Sequence, residues 1–353
     1  MRPVLKKRLI MLTVLFAFSA AGCGGGDSPS VPPAEDRIVV GFSQLGAESD
    51  WRSANTASMK EAFSKGDNYE LIFEDGQQKQ SNQITALRKF VQQDVDYIVL
   101  APVTETGWDT VLAEVKEAGI PVVIVDRMVD VEDDSLFTCR VGSDFELEGR
   151  KAAEWLNRFV SEEGISPEEI HIVNIQGTIG ASAQIGRTRG LEMAAEEHGW
   201  DLLEEATGDF TQAKGREVMT DLLRKYDNLN VVWCENDNEA LGALEAIETS
   251  GRKAGTDIRN GEILVISFDG VKKEALECVL EGKIACIAEC NPLHGPRVRG
   301  IIESLEEGKS PDKVMYVEED IYSAEESITS LEVAGKSYPV TILTKDSVSL
   351  PPL

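Results

Sequence analysis

The side chains best suited to chemistry stand in short polar clusters. Glu48, Asp50, Trp51 and Arg52 lie in "FSQLGAESDWRSANTASMKEAF" (42–63), and Asp126 and Arg127 close "IPVVIVDR" (120–127). Further along come Arg187 after "QGTIGAS", Phe210 in "GDFTQ", Asn236 and Asp237 in "END", and Asp269 in "FDG". A carboxylate can accept from two vicinal hydroxyls, and a guanidinium fork can donate to two acceptors. An indole or phenyl ring offers a flat apolar face to the C–H side of a sugar ring. Together these groups suit an uncharged polyol. Several also have a plainer explanation: Trp51 as core, Arg52 as a solvated helix start, each acid as a helix cap. For Arg52 that explanation is weak, because a cation at a helix N-terminus opposes the dipole.

Catalysis fits these groups less well than binding. Glycoside hydrolysis requires one carboxyl with a raised pKa, whereas Arg127 beside Asp126 should lower that of Asp126. The chain has no Walker loop, nucleophile elbow or paired metal-binding histidines. "GTIGAS" (177–182) lacks the lysine of a phosphate loop and reads as a tight turn. Cys286 and Cys290 are not spaced as a zinc knuckle and there are three histidines, so no metal site and no cofactor is expected.

The elements that must carry these groups alternate. "RIVVGFSQ", "YELIFEDG", "YIVLAPV" and "IPVVIVDR" are β-rich runs, each followed by a helical pattern such as Ile84, Leu87 and Val91. A second series after about Gly142 comprises "HIVNIQG", "WDLLEEATG", "LNVVWCEND", "ILVISFDG" and "KIACIAEC". The runs are continuous rather than alternating, as in parallel strands buried on both faces. Two β/α series predict two doubly wound lobes, and the polar clusters fall at strand ends, where open α/β sheets bind ligands.

The chain has 353 residues and a formal charge of −27. "MRPVLKKRLIMLTVLFAFSAAGC" has a basic start and a short apolar run before Cys23, the pattern of an export signal ending in a lipobox-like "AAGC". Loss of residues 1–22 would remove Arg2, Lys6, Lys7 and Arg8 and no acid, taking −27 to −31. So acidic a chain is a poor candidate for binding nucleic acid, and no nucleic-acid partner is expected. Residues 23–36 read as a Gly/Ser/Pro tether anchored by lipid on Cys23. Cys139, Cys234, Cys278, Cys286 and Cys290 lie in or beside apolar runs, read as buried free thiols with one disulfide open.

In long ordered segments the chain resembles the periplasmic sugar-binding proteins of ABC importers, the ribose- and galactose-binding class, and within it the galactofuranose-binding members. The segments are "VGFSQLGAESDWRSA", "DGQQKQSNQI", "APVTETGW", "IPVVIVDR", "QGTIGAS", "GDFTQAKGREVM" and "SFDG". The resemblance implies an α/β fold of two Rossmann-like doubly wound lobes joined by a three-crossover hinge, the type I binding-protein architecture. Its lobes would be 37–142 plus 290–313 and 143–289 plus 314–350. Carried over by motif, Glu48, Trp51, Arg52, Asp126 and Arg127 line the first wall, and Arg187, Phe210, Asn236 and Asp269 the second. Glu289 falls where a hinge-side ligand is expected, and Asp75, Gln78 and Asp237 are further candidates. "WCEND" departs from the pattern through Glu235, and "ITSLEVAGKSYPVTILT" reads as an extra strand pair. The implied function is capture of a monosaccharide by a monomeric lipoprotein, held on the extracytoplasmic face of the membrane and delivering to a permease. A sugar sensor presenting its ligand to a chemoreceptor or histidine kinase is the alternative. An exported hydrolase and a transcriptional regulator fit less well, the latter because of the export signal and the acidic charge.

Overall fold

A computed structural model describes residues 37–64 and 68–348. The expected export signal, Cys23 and the expected tether lie outside the described residues. Among the described residues no helix is long and apolar enough to cross a membrane.

The first lobe is built on β1 (Ile38–Gln44), β2 (Tyr69–Asp75), β3 (Tyr97–Leu100), β4 (Val122–Val125), β5 (Cys139–Gly142) and β12 (Val314–Tyr316), in the spatial order β12-β5-β4-β3-β1-β2. All these pairs are parallel. Helices α1 (Asp50–Ala62), α2 (Gln80–Gln92), α3 (Asp109–Glu117) and α9 (His294–Glu306) cover the two faces. Two apolar clusters sandwich the sheet, one around Leu87, Phe90 and Leu112, the other around Phe42, Met59 and Val298. This double burial explains the unbroken Val/Ile/Leu runs.

The second lobe repeats the plan with β6 (His171–Gln176), β7 (Asp201–Thr207), β8 (Val231–Cys234), β10 (Glu262–Asp269) and β11 (Cys286–Glu289), running β7-β6-β8-β10-β11. A two-residue β9 (Lys253–Ala254) pairs with β10. Helices α4 (Phe145–Glu162), α5 (Ser182–His198), α6 (Gln212–Lys225), α7 (Asp237–Thr249) and α8 (Lys273–Leu280) belong here. Three C-terminal strands extend the sheet. β13 (Ile321–Ser323) is antiparallel to β11, and β15 (Lys336–Ile342) pairs parallel to β13. β15 also forms a hairpin with β14 (Ser330–Val333), which is the extra strand pair read from the sequence, and α10 (Lys345–Val348) follows.

The chain crosses between lobes at 143–144, 290–293 and 317–320, giving the doubly wound, three-crossover fold. The last crossover comes a few residues after the expected 313/314 boundary, because β12 pairs with β5 and so belongs to the first lobe. A three-residue strand carries no periodic signal of its own, and the four-residue β5 ("CRVG"), whose apolar run Arg140 interrupts, also escaped notice. The five described cysteines are free, and Cys278 is only half-buried, against the expectation of burial for all five.

Candidate functional site

Each lobe ends its first strand in a helix whose N-terminus faces the other lobe. At α1, Ser49 Oγ accepts from Arg52 N (3.2 Å), fixing the turn that presents Glu48, Trp51 and Arg52. Arg52 is buried between Asp126 (2.7 Å) and Glu48 (3.1 Å). Asp126 follows β4 with φ +65°, a left-handed conformation that Asp tolerates better than most residues. The second lobe repeats this device. Arg187 on α5 meets Asp269 (3.1 Å), which closes β10 with φ +89°. Arg187 also donates to Glu148 Oε2 (2.8 Å) and to the Glu235 carbonyl.

Between these two pairs lies a narrow cavity of about 20 Å³, lined by Glu48, Ser49, Trp51, Arg52, Asp126 and Arg127 from the first lobe. From the second lobe and the hinge come Phe145, Ala183, Arg187, Phe210, Asn236, Asp269 and Cys290. Trp51 and Phe210 are each 4 % exposed. Trp51 Nε1 donates to the Cys290 carbonyl in the second crossover (2.6 Å), and Arg127 lies over the Phe210 ring at 5.5 Å, joining the two lobes. Phe210 is left-handed (φ +59°) and is held by three groups. Its N–H donates to Glu239 (2.8 Å), its carbonyl accepts from Asn236 Nδ2 (3.1 Å), and its ring lies against Gly177, where a Cβ would come within 1.9 Å of it.

The lining carries three guanidiniums and three carboxylates, paired within each lobe. Burial pushes the Asp126 carboxyl up, but Arg52 and Arg127 outweigh it and hold the pKa below the ordinary value. Burial, with Arg52 nearby, lowers Arg127 to about 10. Burial raises Asp269 to about 6, with Arg187 opposing. Among the described residues, Glu48 Oε2 is buried with no hydrogen-bond partner. An orphaned buried carboxylate oxygen costs free energy unless something donates to it.

A family model described as "periplasmic binding protein domain" matches residues 40–294. The chain belongs to this family. The binding protein is 38% identical over 301 residues to the galactofuranose-binding protein YtfQ of Escherichia coli (strain K12), covering 84% of this chain and 91% of the relative. It superposes with a TM-score of 0.73 at 40% identity on the periplasmic binding component of the arabinose ABC transporter from Shewanella sp. ANA-3, solved with α- and β-L-arabinofuranose. That match covers 80% of this chain and 91% of the other. A Mycobacterium smegmatis protein in complex with β-D-fucofuranose matches with a TM-score of 0.75 at 36% identity, covering 81% and 91%.

The cavity of the binding protein gathers Glu48, Trp51, Arg52, Asp126, Arg127, Arg187, Phe210, Asn236 and Asp269, all named from the sequence. Four other candidates lie outside its lining. Glu289 accepts from Asp320 N (3.0 Å) and Asn291 Nδ2 (3.3 Å) and lines a neighbouring, mainly apolar cavity, so its carboxylate serves the crossovers. Asp75 is exposed and accepts from Gln77 N (2.8 Å), while Gln78 is an exposed left-handed residue donating its N–H to the Leu45 carbonyl (2.6 Å). Both shape the turn after β2. Asp237 is buried but accepts from Ser267 Oγ and from the backbone of Val271 and Lys272, so it pins the loop after β10. Asn236 caps α7 and lines the cavity at once.

Phe145, Ser49, Ala183 and Cys290 were missed. Phe145 opens α4 just past the first crossover, and only the lobe closure shows that a helix start there reaches the site. Glu235, the departure in "WCEND", is not part of the cavity lining. It accepts from Gly177 N (2.8 Å) and Thr188 Oγ1 (2.6 Å) and so holds the "GTIGAS" turn.

Proposed function

We propose that the cavity binds one neutral monosaccharide in furanose form, and that the protein is the extracytoplasmic capture component of an ABC importer. The observation that carries this reading is the balance of charges lining the cavity. Three cations paired with three anions leave no net charge for a phosphate or a carboxylate ligand, while unused donors and acceptors remain for hydroxyls. Asp126 and Asp269 each spend one oxygen on an arginine, and Glu48 Oε2 has no described donor. Trp51 and Phe210 supply apolar faces for the ring. The furanose form is inferred from the arabinofuranose and fucofuranose in the related structures and the galactofuranose-binding name of the E. coli relative.

In this reading sugar contacts to both walls favour the closed arrangement, which a permease then recognises. The protein carries no catalytic step. The lipid on Cys23 and the tether 23–36 would keep a monomer close to its permease. Calorimetric titration of residues 36–353, stripped of bound ligand, with L-arabinose and D-galactose tests the reading. The expected result is saturable binding with a low apparent stoichiometry in sugar, since furanose is a minor tautomer. No heat with either sugar, or turnover of a furanoside, would overturn it.

A further inference from the structure

We infer that Glu148, which does not line the cavity, is a positioning residue that ties the cavity arginine Arg187 to the meeting point of the three crossovers. The inference rests on the sugar reading of the cavity only for its effect on affinity. The contact itself is independent of any ligand.

Arg187 could swing widely on its long side chain, and four groups stop it. Its Nε donates to Glu148 Oε2 (2.8 Å), Nη1 to the Glu235 carbonyl and Nη2 to Asp269 Oδ1 (3.1 Å), and the guanidinium lies 4.8 Å over Phe268. Three of its five N–H groups are thereby used, which leaves two for a ligand. Glu148 is the only one of these partners outside the cavity's own strand ends, one turn into α4.

Helices α4 and α5 pack backbone to backbone here. A Cβ at Gly149 would come within 2.9 Å of the Arg187 carbonyl oxygen, and one at Gly190 within 2.6 Å of Gly149. This approach brings a short, buried carboxylate to Arg187, so the contact is built into the helix pair.

On its other side Glu148 faces the hinge. Glu148, Cys290 and Glu319 present their polar atoms within 4.8 Å of one another. Ser143 Oγ, from the first crossover, contacts Cys290 Sγ of the second (3.2 Å) and donates to Glu319 Oε1 of the third (2.7 Å). Asn291 N donates to the same Glu319 oxygen (2.7 Å), and Lys151 donates to the Glu319 carbonyl. A change of angle at any crossover therefore reaches Glu148, and through it the arginine that faces the ligand.

The test uses the two side-chain variants Glu148→Gln and Glu148→Ala of the binding domain. The first readout needs no sugar: the Nε–H resonance of Arg187, assigned by its loss in Arg187→Lys, followed for solvent exchange. Glu148→Ala should speed its exchange at least tenfold, while Glu148→Gln, which retains an oxygen acceptor, should keep it slow. The second readout is affinity for L-arabinose and D-galactose, expected to fall at least tenfold in Glu148→Ala and less than about fivefold in Glu148→Gln. An unchanged Arg187 exchange rate in Glu148→Ala would overturn the inference, as would equal loss of affinity in both variants. If the parent protein binds neither sugar, the sugar reading falls and the exchange measurement alone still decides the role of Glu148.

Discussion

Asp126 and Asp269 occupy matching places in the two lobes, each left-handed at a strand end and each paired with an arginine from the helix after that lobe's first strand. Strained backbone at such positions persists where the surroundings over-determine it, and here the paired arginine does so. Arg127 differs from both other arginines of the cavity. It donates to the Val103 carbonyl (2.7 Å) and lies 3.7 Å from Glu48, so it keeps donors free. A hydrogen bond from a charged group is worth about 1.5–3 kcal/mol. Arg127→Ala is therefore expected to weaken L-arabinose binding by roughly 10- to 100-fold, by the usual tenfold per 1.4 kcal/mol. Calorimetric titration checks this, and affinity within twofold of the parent would remove Arg127 from the ligand's contacts.

At the scale of elements, the site depends on how closely strands and turns approach. Gly177 directly follows β6 and must be glycine because the Phe210 ring occupies the place of a Cβ. Gly177→Ala should displace Phe210 from the cavity wall, an overpacking that costs about 1–3 kcal/mol. Affinity should drop by roughly tenfold or more, with Phe210 seen in a new position in the variant's crystal structure. The loop after β10 is a second case. Asp237 fixes it, and its Lys272 reaches Asp50 at the start of α1 (3.2 Å), where Asn238 Nδ2 also donates (3.0 Å). This latch spans the lobes beside the cavity. Asp50 is half-exposed, so the pair contributes within the roughly 0–1 kcal/mol of a surface salt bridge. Lys272→Ala should speed ligand release by no more than about fivefold, as measured by stopped-flow tryptophan fluorescence.

The whole molecule buries several carboxyls, and this sets its response to pH. Burial raises Glu148 to about 7 and Glu235 to about 8, with their hydrogen-bond partners opposing. Burial and the Glu148 charge raise Glu319 to about 9. A carboxyl whose folded pKa lies above its unfolded value binds more protons when folded. Its stabilising contribution is complete below about 4.5 and is lost as pH rises through the folded value. His294, lowered to about 3 by burial, acts in the opposite sense and subtracts stability as pH falls below 6.5. Between pH 6.5 and 9 only the carboxyl effect of this set operates, so Tm should decline steadily across that range. Thermal unfolding followed by circular dichroism at fixed ionic strength should show a shallower decline in Glu319→Gln, and an unchanged slope in that variant would contradict the assignment.

The alternation of apolar runs and helical patterns was enough to establish two doubly wound lobes, because strands buried on both faces must be continuously apolar. Together with the motif resemblance it pointed to nine of the residues that line the cavity, because polar groups at the strand ends of such sheets face the ligand cleft. Short strands without periodicity, β5 and β12, were invisible, and with them the true third crossover. Which acids face the cavity and which pin loops was likewise undecided: Asp237 and Asn236 are adjacent in sequence, yet one holds a turn while the other lines the wall. That choice depends on backbone direction at the end of β8 and on what packs there. Phe145, Cys290 and the Glu148–Arg187 contact arise from segments far apart in the chain, brought together only when two helices touch and three crossovers converge.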